Sequence, residues 1–357
     1  MRIRGATLLA IFCSCLTGVP ASGEDSVAPQ ADLREVIPSA ISPEAHAIFE
    51  RMLPIVAKRR LTQKIPKTLE EFDANYAEIL ARAQAQTEPF LKTTGVANSD
   101  LKMGGVGVLE TKPPHYKDDG TVLIRVHGGG FIQDSARSSA GGDAMMALAT
   151  GKRILSVDYT VAPRGKWALV TDQVVAVYKA VLAQGYKARS IGMFGDSAGG
   201  NIVPASILKL RNQGLPMPGA VVLLSPCVDL NLIGDTEVTL RDADPALPNQ
   251  EALIAGFTAY ADPADWKNQY VSPIYGDFTK GFPPVLLQVG TREILLSDSV
   301  RFYRAIKAAG GEAELDVYEG MTHVFQSYMR NTPEQKAAYA EIQHFWSRHL
   351  APRRHRA

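Results

Sequence analysis

The stretch Ser190–Asn201 reads S-I-G-M-F-G-D-S-A-G-G-N and contains the pattern G-x-S-x-G. A short apolar run leads into Gly195, and a segment with helical character follows Gly200. This pattern is typical of a nucleophile elbow, a tight strand-to-helix turn that raises a serine hydroxyl above the edge of a sheet. The pattern predicts Ser197 as a nucleophile at a helix start, where free backbone N–H groups favour a developing anion. An ordinary glycine-rich turn has the same pattern, so the prediction depends on partners elsewhere in the chain.

A second glycine-rich segment lies upstream, where H-G-G-G-F follows the apolar run that ends at Val126. Successive glycines expose backbone N–H groups, and such donors stabilise the oxyanion that forms when a carbonyl carbon is attacked. The N–H groups of Gly128, Gly129 and Ala198 are therefore the predicted oxyanion hole. His127 precedes the glycines, and we expect it to brace the loop by hydrogen bonding rather than to act as a base.

Two further strand ends carry the partners that a serine nucleophile needs. The apolar run that ends at Gly290 leads to Glu293, and the last predicted strand leads to His323. Open α/β sheets place their working residues at the carboxyl ends of the strands. The order serine, acid, histidine predicts that His323 takes the proton of Ser197 while Glu293 orients the imidazole. Asp298 is the alternative acid, although an N-cap position at a helix start is a simpler explanation for it.

Short apolar runs alternate with helix-length segments from about residue 101 onward. This alternation is typical of a mostly parallel sheet with helices on both faces, so the predicted fold class is α/β. Besides the strand of the elbow, strands are expected at Val106–Leu109, Thr121–Val126, Arg153–Tyr159, Ala220–Leu224, Val285–Val289 and Glu314–Tyr318. Helices are expected at Ile41–Arg59, Thr68–Thr87, Val170–Ala183 and Thr332–His349.

Four motifs follow one another along the chain: H-G-G-G at 127–130, G-D-S-A-G-G at 195–200, Q-V-G-T-R-E-I-L-L at 288–296 and G-M-T-H-V-F at 320–325. With them, the chain resembles the hormone-sensitive lipase family of α/β-hydrolases, in its bacterial esterase branch, over about residues 100–350. The resemblance implies an eight-stranded, mostly parallel sheet, an N-terminal helical cap, and hydrolysis of short-chain carboxylic esters without a cofactor. It also implies Ser197, Glu293 and His323 as the catalytic triad, with the His-Gly-Gly-Gly loop and Ala198 as the oxyanion hole.

Two segments depart from the pattern of the family. The family carries D-Y-R-L-A-P-E where this chain has D-Y-T-V-A-P-R, so Thr160 replaces an arginine and Arg164 replaces a glutamate. We expect an ion-pair network to be rewired there. Asp134 stands where the family often has glycine, and aspartate tolerates the left-handed backbone better than most residues. We therefore expect the loop to be kept and its pocket face to become acidic.

The N-terminus has the layout of a secretory signal peptide. Two arginines precede the apolar run 6–19, and small residues up to Ala21 provide a cleavage site. Export to the periplasm or the medium is the prediction, and a lipid anchor on Cys13 or Cys15 is less favoured because the residues before them fit a lipobox poorly. After cleavage only Cys227 would remain, so no disulfide is expected within the chain.

We predict four segments: a signal peptide at 1–21, a lead-in and helical cap at 24–95, a catalytic domain at 96–350 and a basic tail at 351–357. The formal net charge of +1 excludes a strongly basic, nucleic-acid-binding surface. No later apolar run is long enough for a membrane span, and no metal-ligand spacing occurs. The expected partner is a small-molecule ester or lactone, and the oligomeric state is open.

Two alternatives to ester hydrolysis remain at this stage. A lactone hydrolase would use the same triad on a cyclic ester. A non-catalytic ligand-binding protein on the same scaffold is the other alternative, and the presence of His323 argues against it.

Overall fold

The computed structural model describes residues 36–62 and 64–351. Eight strands in this part of the chain form one sheet: β1 Ala97–Met103, β2 Val106–Lys112, β3 Val122–Val126, β4 Ile154–Asp158, β5 Ile191–Asp196, β6 Ala220–Leu224, β7 Val285–Gly290 and β8 Ala313–Tyr318. Their order is β1-β2-β4-β3-β5-β6-β7-β8, and only the pairs β1–β2 and β2–β4 are antiparallel. The predicted α/β-hydrolase architecture, with an eight-stranded and mostly parallel sheet, is confirmed.

Helices pack on both faces of this sheet. The helices of the described residues are α1 Pro43–Thr62, α2 Leu69–Thr94, α3 Ala140–Thr150, α4 Trp167–Ala183, α5 Gly199–Asn212, α6 Thr236–Thr239, α7 Gln250–Tyr260, α8 Leu296–Ala308 and α9 Pro333–His349. Successive residues of β6 face opposite ways, so Val221 packs in one core with Ile202 of α5, and Val222 packs in the other with Trp346 of α9. Burying such a side chain stabilises the fold by about 1.5–3 kcal/mol. Strands that are apolar on both sides therefore need a helix layer on each face.

The pattern of the sequence indicates seven of the strands and misses β1. The sequence of β1, A-N-S-D-L-K-M, is mostly polar, and within it only Met103 is buried. Since β1 is an edge strand, most of its side chains do not enter a core. The four predicted helices correspond to α1, α2, α4 and α9, and the second one extends to Thr94 rather than Thr87. Helices α3, α6 and α7 were not predicted.

Helix α1 packs against the segment that carries His323. Phe49 of α1 is fully buried in a cluster with Met321 and Phe325, which flank the histidine along the chain. A second contact joins α1 to the start of α9, because both the backbone N–H and the hydroxyl of Ser42 donate to the carboxylate of Glu334. These contacts fix α1 beside the carboxyl end of the sheet.

Helix α2 begins at a capping box formed by Thr68 and Glu71. An ion pair joins it to the segment that departs from the family pattern, with Arg164 Nη2 at 2.6 Å from Asp73 Oδ2. Thr160 makes two hydrogen bonds with Gln173: its backbone N–H donates to Gln173 Oε1, and its hydroxyl accepts from Gln173 Nε2. The division into cap and catalytic domain stays a prediction. The predicted signal peptide at 1–21 lies outside the described residues, and so does the basic tail except for its first residue. Within residues 36–62 and 64–351, no helix combines the length and the apolar character needed to cross a membrane.

Candidate active site

Ser197 lies in the turn between β5 and α5, where its backbone is strained. Its φ is +55°, in the left-handed region that residues with a side chain rarely adopt. A Cβ on Gly195 would lie 2.4 Å from the carbonyl oxygen of Gly199, and one on Gly199 would lie 2.1 Å from that of Val126. No side chain fits at either glycine. The turn therefore holds Ser197 in one place at the carboxyl end of the sheet.

Glu293 and His323 follow β7 and β8 and contact each other at this same end. His323 Nδ1 lies 3.1 Å from Glu293 Oε2. The Glu293 side chain is fully buried, whereas 10% of the His323 side chain is exposed. His323 and Ser197 line the same cavity. The structure thus brings the three predicted residues together, with the carboxylate behind the imidazole and the imidazole at the cavity wall.

The other oxygen of Glu293 is held by two donors. Its Oε1 accepts the hydroxyl of Ser225 at 2.8 Å and the backbone N–H of Gly290 at 2.6 Å. Ser225 Oγ in turn accepts the backbone N–H of Val324, the residue after the histidine, at 3.0 Å. Ser225 is therefore a supporting residue that sequence reasoning missed. The one signal for it was its position directly after a buried strand.

Asp298 makes its contacts elsewhere. Its Oδ2 accepts the backbone N–H groups of Val228 at 2.7 Å and Asp229 at 3.0 Å, in the loop after β6. Helix α8 has Leu295 at its N-cap, so the N-cap position expected for Asp298 is wrong. It lies inside the first turn and anchors the neighbouring loop. Of the two candidate acids, the structure places Glu293 against the imidazole.

A second carboxylate holds the backbone of His323. Asp244 Oδ2 accepts the N–H of His323 at 2.8 Å, and Asp244 Oδ1 accepts the N–H of Ala246 at 2.7 Å. Burial, together with the charge of Glu293, raises the pKa of Asp244 to about 6. Sequence reasoning did not single out this residue, because 79 positions separate it from the histidine that it holds.

The electrostatic surroundings of His323 favour its protonated form. Burial alone lowers the pKa of the imidazole. The hydrogen bond to Glu293, and the charges of Glu293 and Asp244, act in the opposite direction and outweigh it, so the pKa lies above its ordinary value. A histidine in these surroundings is suited to accept a proton during a reaction.

The H-G-G-G loop lies beside the turn that carries Ser197. A Cβ on Gly128 would lie 2.6 Å from Asp196 Oδ2, and one on Gly129 would lie 2.4 Å from the carbonyl oxygen of Gln133. Gly129 has a φ of +99°, so the backbone requires glycine there. Gly129 also lines the cavity together with Ser197.

His127 braces this loop from inside the core, as expected. Its ring is fully buried, donates a hydrogen bond from Nδ1 to the carbonyl oxygen of Gly128, and stacks on Tyr159 with ring centroids 4.2 Å apart. Asp134 has a φ of +67°, so the left-handed backbone is kept. Its Oδ1 accepts the hydroxyl of Ser138, and Asp134 is not among the described residues that line the cavity, so the acidic pocket face is not found.

A buried ion-pair network lies under the elbow. Arg125 Nη1 lies 2.8 Å from Asp143 Oδ1, and Arg125 Nη2 lies 2.9 Å from Asp196 Oδ1. Asp196 directly precedes Ser197, so the network fixes the residue next to the candidate nucleophile. Sequence reasoning missed this network, although an arginine inside an apolar strand is the kind of signal that indicates one.

Two cavities of very different size meet at Ser197. The larger has a volume of about 560 Å³, and its wall includes His323, Gly129 and residues of α1. The smaller has a volume of about 20 Å³, and its wall includes Ala198 and the buried ring of Phe131. The serine therefore lines both a wide space and a narrow apolar one.

Possible metal ligands among the described residues lie together at Glu312, Glu314 and His349. Glu314 already binds Arg348 Nη2 through both carboxylate oxygens, each at 2.8 Å. This group stands at the amino end of β8, whereas His323 follows the carboxyl end. It is therefore separate from the candidate active site.

A serine at a strained strand-to-helix turn, with a histidine and a carboxylate after later strands of a parallel sheet, defines the class of α/β-hydrolases. Residues 123–327 match a family described as having the alpha/beta hydrolase fold. An esterase of Acinetobacter venetianus is 35% identical over 225 residues, which are 63% of this chain and 74% of that protein. An acetyl-hydrolase of Streptomyces hygroscopicus is 31% identical over 68% of this chain and 81% of its own length.

Solved structures give the same result. A crystal structure of an esterase from the bacterial hormone-sensitive lipase family superposes with a TM-score of 0.76 at 31% identity, over 87% of this chain and 100% of that chain. Another esterase crystal structure reaches a TM-score of 0.82 at 28% identity, over 91% of this chain and 98% of that chain. The chain belongs to the hormone-sensitive lipase family of α/β-hydrolases.

Proposed function

We propose that this chain is a carboxylesterase that forms an acyl-enzyme on Ser197, with His323 as general acid and base and Glu293 as the orienting carboxylate. The observation that carries the proposal is the contact of 3.1 Å between His323 Nδ1 and Glu293 Oε2, with the imidazole in the wall of the cavity that Ser197 lines. A carboxylate at Nδ1 keeps a proton there, and Nε2 is then the nitrogen that accepts the serine proton.

The reaction runs in two halves. Ser197 Oγ adds to the ester carbonyl carbon while its proton moves to His323, and the carbonyl electrons become an oxyanion. The N–H groups of Gly128, Gly129 and Ala198 would bind this oxyanion, and losing one such donor typically costs about 2.7–4 kcal/mol of transition-state stabilisation. Collapse of the intermediate expels the alcohol, which takes the proton from the imidazole. Water then attacks the acyl-enzyme by the same route and releases the acid.

The size of the smaller cavity supports a short acyl group. A volume of about 20 Å³ accommodates about one water-sized group. Its apolar wall, which includes Phe131 and Leu295, suits a methyl or ethyl group and offers nothing to a charged one. We infer that acetyl and propionyl esters are hydrolysed faster than esters of long acids.

Linear esters fit this arrangement better than lactones do. A lactone joins its acyl and alcohol parts in one ring, whereas the site has a wide and a narrow cavity that both reach Ser197. We therefore expect ethyl acetate to be hydrolysed with a higher kcat/KM than ε-caprolactone. The opposite order would favour a lactone hydrolase with the same triad.

Ser197→Ala tests the proposal, and Ser347→Ala on the exposed face of α9 is the matched control. We expect the first variant to fold, to lose hydrolysis of p-nitrophenyl acetate, and to lose covalent labelling by a fluorophosphonate. The control should keep both. Turnover and labelling that survive in Ser197→Ala would refute the mechanism, and a wild-type protein that neither reacts nor hydrolyses esters would indicate a binding protein.

We also propose that the protein is exported and processed near Ala21. The support is the layout of the N-terminus, with two arginines, the apolar run 6–19 and small residues before the cleavage site. The mass of the mature protein, purified from the periplasm or the medium, tests this. A protein that begins at Met1 and stays in the cytoplasm would contradict it, and a lipid-modified cysteine would show the anchored alternative.

A further inference from the structure

The chemistry at Ser197 decides which of the two cavities holds which half of an ester. The general acid must reach the oxygen of the leaving alcohol, so the alcohol lies on the side of His323. His323 lines the cavity of about 560 Å³ and does not line the one of about 20 Å³. The acyl group therefore occupies the small cavity, beside Ala198, and the alcohol occupies the large one.

The wall of the large cavity is mostly apolar. Helix α1 contributes Met52, Ile55 and Val56, and the segment around the start of α7 contributes Leu247, Pro248 and Leu253. Gln86 and Gln133 add uncharged polar groups. Among the described residues that line it, the only ionisable side chains besides Tyr328 are His323, which binds Glu293, and Asp196, which binds Arg125. Within the described part of this wall, a charged alcohol would find no dedicated partner.

The α1 side of this wall is already in place before an alcohol binds. Phe49 packs in the cluster with Met321 and Phe325, and Ser42 is held by Glu334. Ile55, by contrast, points an apolar side chain to solvent at the edge of the cavity and is 69% exposed. A bulky apolar alcohol would cover this side chain and remove it from water, which is favourable.

We propose that the preferred substrates are esters that join a very small acid, such as acetic acid, to a bulky, uncharged and largely apolar alcohol, with helix α1 as the element that selects the alcohol. The inference rests on the proposed function, because it uses the same serine and histidine. It goes beyond that function by assigning the size limit to the acid and the selectivity to the alcohol.

Two isomeric esters test this directly. 3-Phenylpropyl acetate and ethyl 3-phenylpropanoate have the same atoms and are both esters of primary aliphatic alcohols, but their bulk lies on opposite sides of the ester bond. We expect kcat/KM to be at least about tenfold higher for the acetate, since even one misplaced methylene discriminates by about 10–200-fold. Equal values or the reverse order would overturn the inference while leaving the esterase mechanism intact. If neither isomer nor p-nitrophenyl acetate is hydrolysed, the proposed function itself fails.

Variants on each side of Ser197 separate the two cavities. Leu232 lines only the smaller cavity of the two, and Leu232→Ala should raise the rate on ethyl 3-phenylpropanoate relative to the acetate by about tenfold. Ile55→Ala should lower the ratio of kcat/KM for 3-phenylpropyl acetate to that for ethyl acetate by a few-fold. Ile254→Ala removes an exposed side chain of α7 that does not line the cavity, and it should leave this ratio unchanged. A ratio that responds to Ile254 but not to Ile55 would overturn the role of α1.

Discussion

Glu293→Gln, compared with Asp298→Asn, tests the assignment of the orienting acid most sharply. Both side chains are fully buried carboxyls that lie five residues apart, and the sequence leaves either one as the acid. Each substitution replaces a carboxyl by an amide of the same shape. A difference between the two variants therefore reports on contacts and charge rather than on size.

Three donors surround the carboxylate of Glu293: His323 Nδ1 at 3.1 Å, Ser225 Oγ at 2.8 Å and the N–H of Gly290 at 2.6 Å. Glutamine has one accepting oxygen, and two of the donors meet at Oε1. The oxygen should stay with these two, which turns the amide NH₂ towards His323. The imidazole then takes the tautomer with its proton on Nε2, which cannot accept a proton from Ser197. The same tautomer error in a serine protease lowers kcat about 10⁴-fold, or about 5 kcal/mol.

Asparagine at position 298 should be tolerated. Burial and the charge of Glu237 raise the pKa of Asp298 well above its usual range, so an uncharged side chain costs less here than at an exposed position. The oxygen of an asparagine can still accept the N–H groups of Val228 and Asp229. We expect kcat to stay close to that of the unaltered protein.

The assay is steady-state hydrolysis of p-nitrophenyl acetate on the alkaline plateau of the pH profile of kcat, where the imidazole is neutral. Thermal unfolding of each variant, followed by circular dichroism, shows whether a loss of kcat comes from unfolding. We expect kcat to fall about 10³–10⁴-fold in Glu293→Gln. If that variant keeps more than about a tenth of its kcat, or if Asp298→Asn loses as much, the assignment of Glu293 is wrong.

Three further predictions follow from the surroundings of the triad. Activity needs a neutral imidazole, and the charge of Asp244 raises the pKa of His323. Asp244→Asn should therefore move the acid limb of the pH profile of kcat/KM to lower pH. The control Asp100→Asn, at an exposed position, should leave that limb where it is. Ser225→Ala leaves a buried backbone N–H without its acceptor, and urea unfolding should show a loss of about 1–3 kcal/mol together with a lower kcat. Arg125→Met leaves the carboxylates of Asp143 and Asp196 without their cation, so the free energy of unfolding should fall by about 3–5 kcal/mol. An unchanged free energy of unfolding would contradict a stabilising role of the network.

The elbow, the glycine loop and the two later strand ends were predictable because each depends on short-range geometry. Glycine at 195 and 199 is required by contacts with backbone a few residues away or in the next strand. The order of the serine, the acid and the histidine follows from the way that parallel strands present their carboxyl ends at one edge. The amino-acid sequence alone therefore suffices to name Ser197 and His323.

Other parts of the site depend on contacts between distant segments. Asp244 and Ser225 reach His323 and Glu293 only through the folded chain, and neither lies in a motif. Arg125 stands out inside an apolar strand, but its partner Asp196 is revealed only when β3 lies beside β5. Edge strand β1 escapes detection because an edge strand with mostly exposed side chains has no apolar period to reveal it.

The sequence by itself determined the α/β class, the chemistry of the strand ends and the candidate nucleophile, because apolar periodicity and glycine spacing are local properties of the chain. Tertiary structure alone decided which carboxyl contacts the imidazole, and it alone showed a narrow and a wide cavity that both reach Ser197. The physical reason is that the packing of distant segments sets both the hydrogen bond of 3.1 Å between His323 and Glu293 and the volume of each cavity. No single segment contains that information.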